Sequence, residues 1–314
     1  MSDPQTFFNF LDWSMKNYPA KNVVLSVSGH GSGVMSWGGP TGVNDAKSYE
    51  DVVIDVNPFD PFIGIETNGD SLSIFEFKRV LQEIKKKYPE TKIQVLILDA
   101  CLSQATEVLS DLKGMTRIVM GSPYTVPGTG MHYGAVAEAI NQNMSPVKMS
   151  EHIGNAFIHS VETDNLLSIY DLEKMENFEE KLDNFCDALI IAMGDRKKTR
   201  FKNLLNFYED YWDIQKLASS IIDGTTEVSN NANLVEASQA LIKAQLDMAI
   251  NSYTKGKWTG SYGLSIFWPG EDNYRKYRDF YKKLTFSKEH RWDEFLDRFI
   301  FNKKIKIFNK LYSE

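Results

Sequence analysis

Two short apolar segments end in side chains that could act together as a nucleophile and a base. The segment from Asn22 to Gly33 is NVVLSVSGHGSG, and the segment from Ile93 to Cys101 is IQVLILDAC. Apolar, branched runs of this length indicate buried strands of a parallel sheet. In open α/β sheets, functional groups lie beyond the carboxyl ends of the strands. If the two strands are neighbours, His30 and Cys101 lie at one edge as a histidine base and a cysteine nucleophile.

Cys101 is the expected nucleophile. A helical pattern from 102 to 112 follows it directly, and the N-terminal amides and dipole of such a helix would favour the thiolate. The other cysteine, Cys186, lies on the apolar face of a helical pattern, so we expect it in the core. A lone cysteine is more often a buried structural residue than a nucleophile, so this alternative stays open for Cys101 taken alone.

The residues next to the two strand ends also suggest chemistry. His30 is the expected general base, or the acid that protonates a leaving amine. Gly31 allows a substrate backbone to approach, and its N–H and that of Cys101 could face a developing oxyanion. Strand alternation places Asp99 on the same face as Cys101, where a carboxylate would attract a cationic side chain. The alternatives are a loop histidine without a role and a solvated or capped carboxylate.

Nucleotide and metal chemistry fit this region poorly. The GHGSG turn lacks both the GxGxxG frame and a following Lys-Ser/Thr pair. The acidic residues between 45 and 60 lack the spaced frame of a calcium loop, so we expect them to be solvated. No Cys/His spacing indicates zinc. We therefore expect no required cofactor and no metal ion among the site residues.

The composition is that of an ordinary globular protein. The chain has 314 residues, 42% hydrophobic and 25% charged, with a net charge of −7 and two cysteines. It has no long basic run, which argues against nucleic acid, and no run of about 18 apolar residues, which argues against a membrane span. No signal peptide is visible, so we expect a cytoplasmic protein or secretion by another route, unless the N-terminus is truncated. The sequence does not indicate the oligomeric state.

Strand and helix patterns alternate up to about residue 172, which predicts an α/β fold with a mostly parallel sheet flanked by helices. The expected strands are 23–27, 93–101, 117–120 and 166–170, and the expected helices are 4–18, 73–88, 102–112, 133–141 and 149–161. Beyond this point we expect helices at 178–193, 201–222, 234–251 and 274–284, with one strand at about 262–268. We therefore expect a core of residues 1–172 and a mainly helical subdomain, 173–314, packed on it as one unit.

The two strand ends resemble those of the clostripain (C11) family of cysteine peptidases, in the caspase-like clan. That clan is marked by an apolar block followed by His-Gly and a second followed by Ala-Cys, which here are VVLSVSGHG and VLILDAC. Further segments that resemble the family are FLDWSMKNYPAKN, LSIFEFKRVL, VMGSPYTVPGTGMHY, FYEDYWDIQKLA and YGLSIFWPGEDNYRKY. The resemblance therefore covers nearly the whole chain.

The resemblance implies a caspase-like sheet and an endopeptidase that cleaves protein or peptide substrates after Arg or Lys. It implies that His30 and Cys101 are the catalytic dyad, that Gly31 is the oxyanion glycine and that Asp99 helps to form the pocket for the basic side chain.

The resemblance also covers the loop after the cysteine strand, whereas the long loop 34–67 between the His and Cys blocks is only weakly patterned. By this resemblance, Ser122 and Tyr124 are expected substrate contacts. Some members of the family cut themselves between the His and Cys blocks, and Lys47 is the candidate site by its position in the loop. Some members use calcium, which is therefore a possible cofactor.

The loop after the cysteine strand departs from the family pattern PG-x-GW-x-Y with a nearby acid. Here the segment is PGTGMHY, with Met131 and His132 and no acidic residue, and Tyr124 stands where the family often has an acid. A second hypothesis follows from this departure: a catalytically silent relative that binds peptides or proteins through the same cleft. The intact His-Gly and Ala-Cys pairs favour the enzyme.

Overall fold

The structure is a computed structural model that describes residues 3–34, 62–65, 71–194 and 199–301. The chain forms two compact units. The first comprises Met1–Met175 and Met248–Ile266, and the second comprises Glu176–Asp247 and Phe267–Glu314. The division at residue 172 that the sequence suggests stays a prediction.

The described elements alternate along the first part of the chain and are mainly helical in the second. The strands are β1 (Asn22–Ser28), β2 (His30–Gly31), β3 (Ile63–Ile65), β4 (Lys92–Asp99), β5 (Thr116–Gly121), β6 (Asn165–Asp171), β7 (Asn206–Tyr208), β8 (Tyr211–Asp213), β9 (Ala249–Lys255) and β10 (Ser265–Phe267). The helices are α1 (Pro4–Asn17), α2 (Ile74–Lys87), α3 (Thr106–Leu112), α4 (Tyr133–Asn141), α5 (Pro146–Ser160), α6 (Met175–Met193), α7 (Ile214–Ile222), α8 (Ala232–Met248), α9 (Glu271–Tyr281), α10 (Thr285–Glu289) and α11 (Trp292–Phe301).

A five-stranded sheet of order β1-β4-β5-β6-β9 forms the centre of the first unit. β1, β4 and β5 pair in parallel, whereas β6 is antiparallel to both β5 and β9. Four strands therefore point in one direction and β6 in the other, which confirms the mostly parallel α/β sheet. The interior strand β4 is fully buried from Val95 to Leu98, as its continuous apolar run predicts.

Local signals in the sequence explain where the helices on the sheet begin. Asp3 caps α1 by accepting a hydrogen bond from the Thr6 N–H, at 2.7 Å. Ser73 and Glu76 form a reciprocal capping box at the start of α2. The two helices pack together through the stacked rings of Phe7 and Phe77, whose centroids lie 5.4 Å apart. Both helices match the predicted positions, because the capping residues and the apolar spacing in the sequence define the same segments.

The helix expected at 102–112 is present, but its predicted start directly after Cys101 is wrong. α3 begins at Thr106, because the intervening backbone bonds to the segment after β5 instead of to itself. The N–H of Leu102 donates to the Tyr124 carbonyl at 3.1 Å, and the N–H of Gln104 donates to the Ser122 carbonyl at 3.2 Å. Leu102 also adopts a left-handed backbone, with φ 56°, which is incompatible with a continuous helix.

Three further boundaries differ from the sequence patterns. The expected helix 201–222 contains β7 and β8 and becomes helical only after Asp213, whose carboxylate caps α7 through the Lys216 N–H at 3.0 Å. The expected helix 234–251 ends at Met248, because the next residues form the edge strand β9 along β6. The expected strand 262–268 is shortened to β10. Tertiary pairing, which the periodicity of one segment cannot report, overrides local preference at each place.

The second unit has its own aromatic core. Trp268 contacts Trp292, Phe295 and Phe299, with ring centroids 6.1, 5.5 and 5.1 Å away. Cys186, on α6, is completely buried in this unit, as expected from its place on an apolar face. Within the described ranges of both units, no helix combines the length and the apolar character needed to cross a membrane.

A largely buried histidine, two residues before α11, pairs with two carboxylates of α6 in the second unit. His290 Nδ1 lies 3.0 Å from Asp183 Oδ2, and Nε2 lies 3.3 Å from Glu179 Oε1, with the imidazole only 9% exposed. Burial alone would lower the pKa of His290, but the bonds to Asp183 and Glu179 overcome it and raise the pKa to about 9. The imidazolium is therefore the form that the folded protein prefers.

Replacing His290 with Gln should destabilise the protein in a pH-dependent way. The pKa is raised in the folded state, so the stabilisation is fully present below the unfolded-state pKa and is lost as pH rises through about 9. We expect the free energy of unfolding to fall by about 2 kcal/mol near pH 6 and by much less above about pH 10. Urea unfolding across that pH range measures this difference.

His152→Gln is the matched control for this measurement. His152 also faces a carboxylate, that of Glu138 at 3.3 Å, but both side chains of that pair are partly exposed. We expect little change in the free energy of unfolding at any pH. If His290→Gln lowered the free energy of unfolding by the same amount at every pH, the role assigned to the charge of His290 would be contradicted.

Candidate active site

The parallel register of β1 and β4 brings their ends to the same level. Val27 pairs with Leu98 and Ser28 pairs with Asp99, after which the Gly29 N–H donates to the Asp99 carbonyl at 3.2 Å. Both strands then end in the residues that the sequence marks as reactive. The neighbouring strands expected from the two apolar runs are therefore present.

Gly31 packs directly on the backbone of Cys101. A Cβ at this position would overlap the Cys101 carbonyl oxygen and would lie 2.9 Å from Ala100 Cβ and 3.2 Å from the Cys101 nitrogen. Only glycine fits such a close approach between two backbone segments. This contact brings the His-Gly and Ala-Cys pairs together.

His30 begins the short strand β2, which pairs with β3 and is held there by residues 63 and 65. Its side chain is exposed and makes no hydrogen bond to any residue in the described ranges. An exposed imidazole next to Gly31 is open to an incoming substrate. The geometry is compatible with proton transfer to or from a bound peptide.

The amide that reaches the Cys101 thiol comes from the loop after β5. The Val126 N–H donates to Cys101 Sγ at 3.3 Å, and the thiol is half-buried. This contact replaces the helix amides that we expected, since α3 begins at Thr106. Sequence spacing carried no signal for Val126, because the donor is a backbone group.

Asp99 is buried, with 3% of its surface exposed, and its two oxygens differ in their partners. Oδ2 accepts the Met131 N–H at 3.0 Å and the Tyr133 hydroxyl at 2.7 Å. Oδ1 is also buried but has no hydrogen-bond partner among the described residues. A buried acceptor without a donor is costly, so this oxygen is suited to bind a donor that a ligand supplies.

The second half of the loop after β5 closes over Asp99. Gly130 has φ 67°, and a Cβ there would lie 2.5 Å from Asp99 Oδ2. Burial raises the pKa of Tyr133, and its hydrogen bond to Asp99 raises it further, although the Ser26 hydroxyl opposes this shift. The phenol therefore remains a donor at neutral pH. Tyr133 belongs to a segment that resembles the family loop, but spacing alone did not reveal its bond to Asp99.

The remaining predicted residues have different surroundings. Ser122 is completely buried, and its hydroxyl accepts the Tyr124 N–H at 3.1 Å. Tyr124 is half-buried and packs on Trp258, with ring centroids 4.8 Å apart. A direct substrate contact by Ser122 or Tyr124 stays a prediction. Lys47 lies outside the described residues.

The described residues contain no group of three or more His, Cys, Asp or Glu side chains that could hold a metal ion. The acidic residues between 45 and 60 lie outside the described ranges. Calcium as a cofactor therefore stays a prediction, and no step of the chemistry below involves a metal.

The sequence profile of the Clostripain family (Peptidase_C11) matches residues 1–299. The chain therefore belongs to this family. It is 23% identical to clostripain of Hathewaya histolytica over 332 aligned positions, which cover 90% of this chain and 59% of that protein. The chain thus spans less than two thirds of the length of this relative.

Solved structures of the same class share the fold. One is a secreted C11 cysteine protease from Bacteroides thetaiotaomicron in complex with an irreversible peptide inhibitor: TM-score 0.63, 17% identity, 93% of this chain and 79% of that chain covered. Another is an inactive zymogen C11 protease from Parabacteroides distasonis: TM-score 0.58, 15% identity, 92% and 76% covered. These similarities confirm the caspase-like fold expected from the strand ends.

The two cysteines should differ sharply in reactivity. Iodoacetamide should modify Cys101 in the folded protein at near-neutral pH, because its thiol is half-exposed. Cys186 should react only after unfolding, because burial raises its pKa well above the usual value. Peptide mass spectrometry over a time course measures both sites. Comparable labelling of the two cysteines in folded protein would contradict this assignment.

Proposed function

We propose that the protein is a cysteine endopeptidase that cleaves peptide bonds after Arg or Lys. The packing of Gly31 on the Cys101 backbone is the observation that carries the proposal. It joins the two chain segments that bear the proposed nucleophile and base. Membership of the Clostripain family supports the same chemistry.

The proposed reaction passes through an acyl-enzyme. The Cys101 thiolate attacks the scissile carbonyl, and the oxyanion accepts hydrogen bonds from the N–H groups of Gly31 and Cys101. His30 protonates the leaving amine. It then removes a proton from the water that hydrolyses the thioester, which regenerates the thiolate. The exposed position of His30 supports this role, since the proton must pass to substrate and water.

Asp99 supports the proposed preference for Arg or Lys. Its buried Oδ1 lacks a donor among the described residues, whereas Oδ2 is held by Met131 and Tyr133. A guanidinium or ammonium would supply both the missing donor and the opposite charge. A neutral substrate side chain would leave the carboxylate uncompensated, which disfavours its binding.

Calcium and self-cleavage are separate parts of the proposal. We propose that the chemistry at His30 and Cys101 needs no metal, although calcium can act elsewhere in the chain. A cut at Lys47, in the long loop between the two strand ends, is the proposed self-processing step. Mass spectrometry of the purified protein tests this cut directly.

The first test is cleavage of fluorogenic peptides with Arg, Lys, Asp, Asn or Leu before the scissile bond, with and without calcium. Wild-type protein should cleave after Arg and Lys, and Cys101→Ala should lose this activity entirely. Asp99→Asn should lower kcat/KM for the basic substrates by about 100-fold, because the buried oxygen loses its charge.

The other outcomes of this panel separate the parts of the proposal. Cleavage after a neutral or acidic residue would support the proposed catalytic dyad but reject the proposed role of Asp99 in substrate preference. A folded protein that binds these peptides without cleaving them would be the silent, peptide-binding relative. Activity that survives in Cys101→Ala would reject the proposed nucleophile.

Gly31→Ala should lower kcat by about 100-fold, because the new Cβ would overlap the Cys101 backbone and move the oxyanion donors. Gly128→Ala is the matched control, since a Cβ at Gly128 meets no atom within 4 Å. It should retain activity within about 2-fold. Equal activities of the two variants would show that close packing at Gly31 is unimportant for catalysis.

A further inference from the structure

A cleft of about 520 Å³ lies in the first unit beside Cys101. It is lined by residues 124–127, residues 163–165 and Lys257. Val126 connects this cleft to the nucleophile, because its N–H donates to Cys101 Sγ at 3.3 Å. A peptide with its scissile carbonyl at Cys101 therefore lies within reach of the cleft.

The walls of the cleft are held by packing and hydrogen bonds. The Tyr124 ring packs on the buried Trp258, with centroids 4.8 Å apart. Asn165, only 2% exposed, donates to the Thr125 carbonyl at 3.3 Å and accepts the Leu166 N–H at 2.9 Å. The loop is thereby attached to the first residue of β6, so the cleft is preformed.

Lys257 supplies a cation at the cleft. Its Nζ lies 4.4 Å from the Trp258 ring centroid and 4.9 Å from that of Tyr124, which places the exposed ammonium above the two rings. Among the described residues, no carboxylate forms an ion pair with Lys257, and this includes Asp164 in the same cleft. The Asp164 side chain packs against Gly256, where a Cβ would overlap Oδ1.

The loop after β5 thus serves two places with different charges. Its second half, residues 130–133, encloses the carboxylate of Asp99. Its first half, residues 124–127, forms the wall of the cleft that contains Lys257. A substrate in contact with both halves would meet a negative group in one place and a positive group in the other.

We propose that this cleft is a second substrate subsite, in which Lys257 binds an acidic side chain within about three residues of the scissile bond. The proposal rests on the proposed peptidase function. It adds a preference for a carboxylate to the preference for Arg or Lys at Asp99. Asp164 limits the strength of this preference, because its charge opposes a bound carboxylate.

The test uses peptides with Arg before the scissile bond and Glu, Gln or Lys at each of the three positions on either side. Wild-type protein should cleave the best Glu peptide with a higher kcat/KM than its Lys counterpart. Lys257→Ala should reduce this Glu-to-Lys ratio by about 5-fold, and Lys257→Glu should reduce it by at least about 10-fold. Asp164→Asn should increase the ratio.

Lys243→Glu controls for the change in net charge. Lys243 is exposed, pairs with Asp247 and does not line the cleft. We expect this variant to leave the Glu-to-Lys ratio unchanged. A ratio that shifts equally in Lys243→Glu and Lys257→Glu, or that shifts in neither, would overturn the subsite and leave the peptidase proposal intact.

A failure of the peptidase proposal is recognised separately. If wild-type protein cleaves none of the peptides, their binding to the Cys101→Ala variant is measured by fluorescence anisotropy. Tighter binding of the Glu peptides that Lys257→Glu reverses would support the subsite without catalysis. Binding that is independent of peptide charge, or no binding, would overturn it.

Discussion

The parallel pairing of β1 with β4 is the interaction on which the site depends. It places Ser28 opposite Asp99, so the His-Gly and Ala-Cys segments leave the sheet side by side. The interior of β4 is fully buried, and each large apolar side chain there contributes about 1.5–3 kcal/mol to the folded state. A different register would separate Gly31 from Cys101, and the buried apolar faces oppose such a slip.

The loop after β5 depends on that pairing and connects three functional features. Its Val126 N–H bonds to the Cys101 thiol, its Met131 N–H bonds to Asp99, and its first half forms the wall of the cleft at Lys257. The loop is secured at its start by backbone hydrogen bonds from Leu102 and Gln104. The proposed nucleophile and the two proposed charged subsites therefore share one short segment, and a shift of the loop backbone at Val126 or Met131 would alter their geometry.

Much of the fold could be predicted because local signals agreed with the tertiary arrangement. The capping box at Ser73 and the apolar spacing of α2 define the same helix, and the apolar run before Asp99 matches a buried strand. The prediction failed where pairing partners were distant in sequence. The backbone after Cys101 bonds to residues 122–124, and residues 249–251 pair with β6, although both segments lie within expected helices. The periodicity of a helix can be recognised in its own sequence, whereas a strand forms only by pairing with another strand elsewhere in the chain.

The sequence by itself determined the residue types at the two strand ends and the glycine that lets them approach. His30, Gly31, Asp99 and Cys101 follow from short patterns, because strand ends in a parallel sheet share one edge. Only the tertiary structure decided which oxygen of Asp99 is occupied, which amide meets the thiol and where a cation faces the cleft. These features arise from Val126, Tyr133 and Lys257, which lie 25, 34 and 133 residues in the chain from their respective partners Cys101, Asp99 and Tyr124. Contacts over such separations depend on the packed loop and sheet, and no local spacing rule encodes them.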